Sequence, residues 1–335
     1  MIENSYDNFE SSGNPFHSRL DLTKLTSGVE RIKSELRKVI IGQDELIELL
    51  LISIVANGHS LIEGVPGIAK TVTAKLLART LNIGFSRIQF TPDLMPSDIL
   101  GTSVFNQREN AFEFKKGPIF SSVILIDEIN RAPAKTQAAM FEVMAERQVT
   151  MDGKTYAMAA PFIVFATQNP IEQEGTYRLP EAQLDRFLFK IEIKYPELND
   201  EIEILTTFHK RKNENFENEV DNILNAAEII ELQKLSQEVI VEPALLSYIA
   251  QIVVNTRTNP YLFLGASPRA SLSILNAAKA RAAMSGRDFM IPEDIKYVAV
   301  PALRHRIIVS PDKEMEGISA DFVLHQIIDS IEIPR

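Results

Sequence analysis

The residues with the greatest chemical content lie in three short stretches. "EGVPGIAKTV" holds Gly64, Val65, Pro66, Gly67, Ile68, Ala69, Lys70, Thr71 and Val72. Apart from Ala69, where a second glycine belongs, it fits the phosphate-cradling pattern G-x-x-x-x-G-K-[ST]. Such a loop turns successive backbone N–H groups toward a phosphate, adds the dipole of the helix that follows, and supplies a lysine as a point charge. The second stretch, "VILIDE", closes an apolar run with adjacent Asp127 and Glu128. Beside a phosphate loop, the first carboxylate can support Mg²⁺ through its water shell and the second can polarise an attacking water. The third, "FIVFATQNP", ends an apolar run with Thr167, Gln168 and Asn169. An Asn at the C-terminal end of a sheet strand lies on the ligand side of an open α/β fold, where it can orient the water or the terminal phosphate.

Each stretch also has a plainer account. Asp127 could cap the next helix with Glu128 merely solvated, and Asn169 could be a turn former before Pro170. Ala69 matters to the loop only if its position needs a positive φ or has no room for a methyl group. In the first helical turn at negative φ alanine would be compatible, and we read the loop as functional, because Gly64 and Gly67 provide its bends and Lys70 and Thr71 its chemistry.

These groups need a scaffold that brings loop and strand ends together. The 3.6-residue period predicts helices over 27–39 and 43–56. A short strand over 60–62, the loop, and a helix over 70–81 then give the context the motif requires. Further strand-like runs at 85–90, 123–126, 162–166 and 187–193 predict a doubly wound α/β core with a largely parallel sheet. After Pro196 strand signals nearly vanish, and helices are predicted over 200–212, 227–235, 244–255, 268–284 and 292–305. The expected organisation is an N-terminal arm over 1–23, an α/β core over 24–195 and a helical domain over 196–335.

The chain has 335 residues, 45% hydrophobic and 24% charged, with a net charge of −10 and no cysteine. Disulfides and thiolate metal sites are excluded. The acidic balance argues against a broad nucleic-acid face, and no apolar run reaches the length of a membrane span. A polar, acidic N-terminus unlike a signal peptide leads us to expect a cytoplasmic protein. Of the histidines, His17, His59, His209, His305 and His325 have no ligand spacing with one another and read as structural.

The order of phosphate loop, "LIDE", strand-end Asn and helical domain resembles the AAA+ ATPases. The wording of "VIIGQ", "GHSLIEGVPGIAKT", "QFTPDLMPSDILG", "FEFKKGPIF", "LIDEINRAPAKTQAAMFEVMAERQVTMDG", "ATQNPIEQEGTYRLPEAQLDRF" and "GASPRASL" is similar to the MoxR family within that group. These stretches run in family order from Val39 to Leu272. The resemblance implies that ATP and Mg²⁺ are the cofactors and that ATP is hydrolysed to ADP and phosphate. It places Ile40, Ile41 and Gly42 near the adenine and wraps Gly64 to Thr71 around the phosphates. Lys70 would meet the β- and γ-phosphates, Thr71 and Asp127 the metal, and Glu128 would be the general base. Asn169 would be the first sensor, Arg186 of "LDRF" the arginine finger that reaches a neighbouring subunit, and Arg269 of "SPRA" the second sensor on a lid-domain helix. The plainer accounts are that Arg186 pairs with Asp185 or Glu181, and that Arg269 caps a helix or bridges to an acidic residue. Arg178, where many relatives carry proline, and the irregular "MAAPF" depart from the family pattern.

Residues 102–120 alternate around a turn-prone centre, and "RQVTMDGKTYAM" turns at Asp152-Gly153, so each predicts a hairpin. The resemblance assigns both to the helix-2-insert and pre-sensor group. Only Lys154 is basic at the second tip, which favours a protein contact over nucleic acid. The expected function is therefore a Mg²⁺-dependent ring ATPase, expected to be a hexamer, that remodels a protein client in a chaperone-like way. The family adds a von Willebrand factor A-domain partner. The rivals are a nucleic-acid motor, a metal-chelatase motor subunit and a nucleotide-gated scaffold without significant turnover.

Overall fold

A computed structural model describes residues 20–65, 67–170, 176–211 and 219–334. The expected N-terminal arm lies almost wholly outside the described residues, as does Pro66 of the loop. The first helix, α1 (Thr23–Arg37), buries Leu25, Val29, Ile32 and Leu36, one stripe at helical spacing. It starts four residues earlier than periodicity predicts. Helix α2 (Asp44–Val55) is buried almost all round. There follow β1 (Ser60–Glu63), α3 (Lys70–Thr80), β2 (Phe85–Gln89) and the short α4 (Pro96–Leu100). The hairpin of β3 (Gly101–Asn106) and β4 (Ala111–Lys116) leads to β5 (Val123–Asp127), a 3-10 turn at Ile129–Arg131 and α5 (Ala134–Glu146). A second hairpin, β6 (Gln148–Met151) and β7 (Lys154–Ala157), precedes β8 (Ile163–Gln168), α6 (Glu181–Leu184) and β9 (Phe189–Glu192).

Five of these strands form one sheet in the order β2-β5-β8-β1-β9, every pair parallel. Period-2 alternation sends the two faces into different cores. Val123, Leu125, Ile163 and Phe165 pack toward α1, α2 and α3, whereas Ile124, Ile126, Val164 and Ala166 join the cluster containing Met140 and Phe141 of α5. Burial on both faces explains why these strands read as continuous apolar runs. Because all strands are parallel, the sheet has one C-terminal edge, carrying Glu63, Gln89, Asp127, Gln168 and Glu192, and one N-terminal edge, carrying Phe85, Val123, Ile163, Ser60 and Phe189. The two hairpins pack on each other through Phe114 and Tyr156, with ring centroids 4.6 Å apart, and through a Ser103–Asp152 hydrogen bond.

The rest of the chain is mainly helical: α7 (Leu198–Arg211), α8 (Ala226–Gln237), α9 (Pro243–Thr258), β10 (Leu262–Leu264), α10 (Pro268–Met284), α11 (Pro292–Leu303), β11 (Ile308–Val309), α12 (Pro311–Met315) and α13 (Ala320–Ser330). Asn225 caps α8, accepting from Ala227 and Glu228 N–H while the Glu228 carboxylate accepts from Asn225 N–H. The small antiparallel pair β10-β11 was not legible in the sequence, being only a few residues long. This helical part is not a detached module. Helix α10 packs on α1 and α2, and one buried cluster runs from Leu25 and Leu50 through Ile274 and Val298.

Candidate nucleotide-binding site

The phosphate loop leaves the C-terminal end of β1 and enters α3. Gly67 has φ +89°, a conformation that favours glycine. Ala69 is not in a helical turn at negative φ, the case in which alanine is freely compatible. It has φ 59° and ψ 15°, left-handed, as the cap residue of α3. The second-glycine position thus takes the backbone that glycine favours, and alanine occupies it at a cost of about 1–2 kcal/mol. Lys70 Nζ donates to the Gly64 carbonyl at 2.6 Å, drawn across its own loop. Ile68 is buried, Val65 and Val72 are half-buried, and the Ile68 methyl lies where a Cβ on Gly64 would be.

Strand order places the remaining groups. β8 lies between β5 and β1, so its end separates the carboxylates from the loop. Asp127 is buried, and its Oδ2 lies 3.5 Å from Thr71 Oγ1, which donates to it. Two hard oxygen donors converging at a strand end suit Mg²⁺, which takes one or two protein oxygens and keeps several waters. Thr71 and Asp127 are thus the residues that could hold that ion. Arg87 Nε also meets Asp127 Oδ2, at 2.5 Å, and Thr167 Oγ1 donates to Oδ1 at 3.2 Å. The same Thr167 hydroxyl accepts from Glu128 N–H at 3.0 Å.

Glu128 has φ 58°, a left-handed residue at the tip of a strand. Backbone strain of this kind is concentrated at functional sites. Its Oε2 accepts from Gln89 Nε2 at 2.8 Å and pairs with Arg131 Nε at 2.9 Å. Asn169, buried just past β8, completes the group. Arg87, Gln89, Arg131 and Thr167 were not singled out for roles by sequence reasoning, although two polar residues alternating at the end of β2 were a visible signal.

Of the three residues expected near an adenine, Ile40 packs in the core and Ile41 is half-buried. Gly42 lines a pocket of about 220 Å³ with Leu46, Ile193, Tyr195 and Asp200. At φ +71° a Cβ there would lie 2.5 Å from Asp200 Oδ2, so a side chain would fill this corner.

Comparison with known proteins gives the family. Residues 59–189 match the family described as ATPase family associated with various cellular activities (AAA), and residues 254–327 match the AAA lid domain. Chaperone MoxR1 of Mycobacterium tuberculosis is 42% identical over 92% of this chain and 82% of its own. The chain belongs to the MoxR family of AAA+ ATPases. The Bacillus subtilis protein YeaC is likewise 42% identical, over 89% of this chain and 92% of its own. A solved structure from Cytophaga hutchinsonii superposes with a TM-score of 0.87 at 43% identity, covering 94% of this chain and 97% of that one.

The two arginines singled out in this MoxR chain lie elsewhere. Arg186 precedes β9 by three residues, and Phe189 pairs with Ser60 at the start of β1. It therefore sits on the N-terminal edge, whereas its own phosphate loop leaves the C-terminal edge, four strand residues or roughly 13 Å further on. Its Nη1 donates to the Phe141 carbonyl at 3.1 Å rather than pairing with Asp185 or Glu181. Asp185 is held from the helical part instead: Arg306 Nε at 2.7 Å, Ser267 Oγ at 3.0 Å and Arg269 Nη1 at 3.4 Å. Arg306 is buried and also donates to the Phe187 and Leu188 carbonyls. Arg269 thus bridges to an acidic residue, with its side chain still 57% exposed. Both Arg186 and Arg269 are brought to the same edge, away from the groups at Lys70 and Asp127.

Proposed function

We propose that this protein is a Mg²⁺-dependent ATPase that hydrolyses ATP to ADP and phosphate as a closed ring, expected to be a hexamer. The observation that carries the reading is the division of the machinery between the two edges of one sheet. Lys70, Thr71, Asp127, Glu128 and Asn169 stand on the C-terminal edge, and Arg186 with Arg269 on the N-terminal edge. Phosphoryl transfer spreads negative charge over the phosphate oxygens, and cations brought to it account for much of the rate. Arg186 cannot reach its own loop through the sheet. A neighbour stacked edge to edge presents it to the next subunit's loop, and Arg269 travels with it as the second sensor.

Within one subunit, Lys70 leaves the Gly64 carbonyl for the β- and γ-phosphates, and the loop N–H groups wrap them. Thr71 and Asp127 would hold Mg²⁺, which when bound would neutralise the charge that develops on the phosphates. Glu128 takes a proton from the attacking water, and Asn169 orients that water. The adenine occupies the pocket at Gly42, with Ile41 beside it.

The motion acts on a protein client in a chaperone-like role, as the name of the Mycobacterium tuberculosis relative says of that protein. The Phe105–Phe112 pair on the first hairpin, with Phe112 72% exposed, supports a protein contact over nucleic acid. A von Willebrand factor A-domain protein is the partner class we propose, in the cytoplasm. No described helix is long and apolar enough to cross a membrane.

Complementation tests the division between subunits. Arg186→Ala and Glu128→Gln are each expected to be inactive, and mixing them should restore part of the turnover, because Glu128→Gln subunits offer intact Arg186 to sites with an intact base. No recovery in rings shown by mass to contain both chains would sink the reading.

A further inference from the structure

Arg87 stands on β2, the strand that ends the sheet, and its side chain shares a face with Asp127. Alternation puts Arg87 and Gln89 on one side of β2 and Val123, Leu125 and Asp127 on the same side of β5, the side that packs on α3. Arg87 lies opposite Leu125, so Asp127 is its diagonal neighbour, within reach of a long side chain. Thr71, in the first turn of α3, comes to the same carboxylate from the facing helix. Two donors therefore meet on one oxygen. Asp127 Oδ2 accepts from Arg87 Nε at 2.5 Å and from Thr71 Oγ1 at 3.5 Å, while Oδ1 takes the Thr167 hydroxyl at 3.2 Å.

The pair is unequally covered. The Asp127 side chain is 9% exposed and that of Arg87 54%. A covered carboxylate needs a compensating charge, since burying one alone is costly. The guanidinium supplies that charge from a strand edge open to solvent, so it can leave Oδ2 for water with little loss. Mg²⁺ brought to Thr71 and Asp127 needs the same oxygen, directly or through one of its waters. A carboxylate oxygen offers about two lone-pair sites, and Arg87 and Thr71 take both. Two cations on one oxygen would also stand close together, where like charges repel strongly away from bulk water. Arg87 and the metal are thus competitors for Asp127.

We propose that Arg87 is a placeholder cation: it neutralises Asp127, exchanges with Mg²⁺ when the ion binds beside the nucleotide, and so sets how much Mg²⁺ the site requires. The inference rests on the reading of Thr71 and Asp127 as the protein side of the metal site. Arg87 is a positioning residue, since its guanidinium acts through Asp127 and not on the substrate.

The test is titration of the full chain with Mn²⁺ in place of Mg²⁺, following the free ion by electron paramagnetic resonance. A non-hydrolysable ATP analogue is held below the protein concentration so that all of it is bound. Arg87→Gln removes the charge and should bind Mn²⁺ about fivefold more tightly than the wild type, the scale of one half-exposed ion pair. Arg87→Lys keeps a charge and should stay close to the wild type. Asp127→Asn should bind Mn²⁺ more weakly. Unchanged binding of a fluorescent ADP in EDTA will show that each variant is folded and that nucleotide affinity is not what changed. Wild-type or weaker Mn²⁺ affinity in Arg87→Gln would overturn the proposal while leaving the metal reading standing. Equal gains in Arg87→Gln and Arg87→Lys would also overturn it, because the shape of the side chain and not its charge would then oppose the metal. Equal Mn²⁺ affinity in the wild type and Asp127→Asn would overturn the metal reading and this inference together.

Discussion

Arg306 and Asp185, 121 residues apart, form a buried ion pair at 2.7 Å that ties the helical part of the chain to the residue immediately before Arg186. Arg306 is almost fully covered, so its charge depends on that carboxylate and on the carbonyls around it. Removing one partner of a buried pair costs about 3–5 kcal/mol, because the other charge is left uncompensated. Asp185→Ala should lose stability on that scale by urea unfolding, whereas Asp185→Asn, which can still accept hydrogen bonds, should lose distinctly less. Equal and small losses would remove the pair as the tie between the two parts.

Gln89 and Arg131 both occupy Glu128 Oε2, one of the oxygens that would receive the proton from water. Gln89→Ala removes a neutral donor worth about 1 kcal/mol, so turnover without any partner protein should rise by roughly fivefold. The measurement is the steady-state ATPase rate at saturating nucleotide. A fall instead would mean that Gln89 orients Glu128 for the reaction.

Ala69 should behave unlike an ordinary helix-end alanine. Replacement of alanine by glycine costs up to about 1 kcal/mol within a helix, through chain entropy. At φ 59° the relief of left-handed strain opposes that cost. Ala69→Gly is therefore expected to leave stability unchanged or raise it by up to about 1 kcal/mol, read from the denaturation midpoint. A clear loss would contradict the left-handed assignment.

His59 is wholly buried, and its neighbours dictate a neutral ring. Nδ1 accepts from Val164 N–H at 3.0 Å, which leaves Nε2 to donate to the Met144 carbonyl at 3.3 Å. Burial, with the nearby Arg147 charge, pushes its pKa down to about 4. Unfolded, it returns to about 6.5, so the unfolded chain binds the extra proton between those values and stability falls as pH drops from about 6.5 toward 4. The loss from this residue approaches about 3 kcal/mol at most. His305 is shifted the same way, also by burial first. Urea midpoints at pH 7.5 and 5 should differ more for the wild type than for His59→Gln. Parallel behaviour would show that His59 is not the titrating group.

These residues also mark what the sequence could convey. The parallel sheet was legible because strands buried on both faces write themselves as apolar runs such as "VILI" and "FIVFA". The convergence of the phosphate loop with Asp127 and Asn169 followed from it, since parallel strands must deliver their ends to one edge. Backbone dihedrals were not legible. Ala69 and Glu128 take positive φ through the closure of the loop and strand ends around them, and nothing in their side chains announces it. Partners far along the chain were equally hidden. Asp185 was considered as a mate for adjacent Arg186, but the fold delivers Arg306 to it.

On the ring reading, a neighbouring subunit completes the active site. The most direct test of this is the ATPase rate per chain against protein concentration, with Mg²⁺, alongside mass by light scattering. The rate per chain should climb with assembly and plateau once the ring forms, and Arg186→Ala should assemble yet stay near the monomer's rate. A rate per chain that ignores concentration while the mass changes would contradict it.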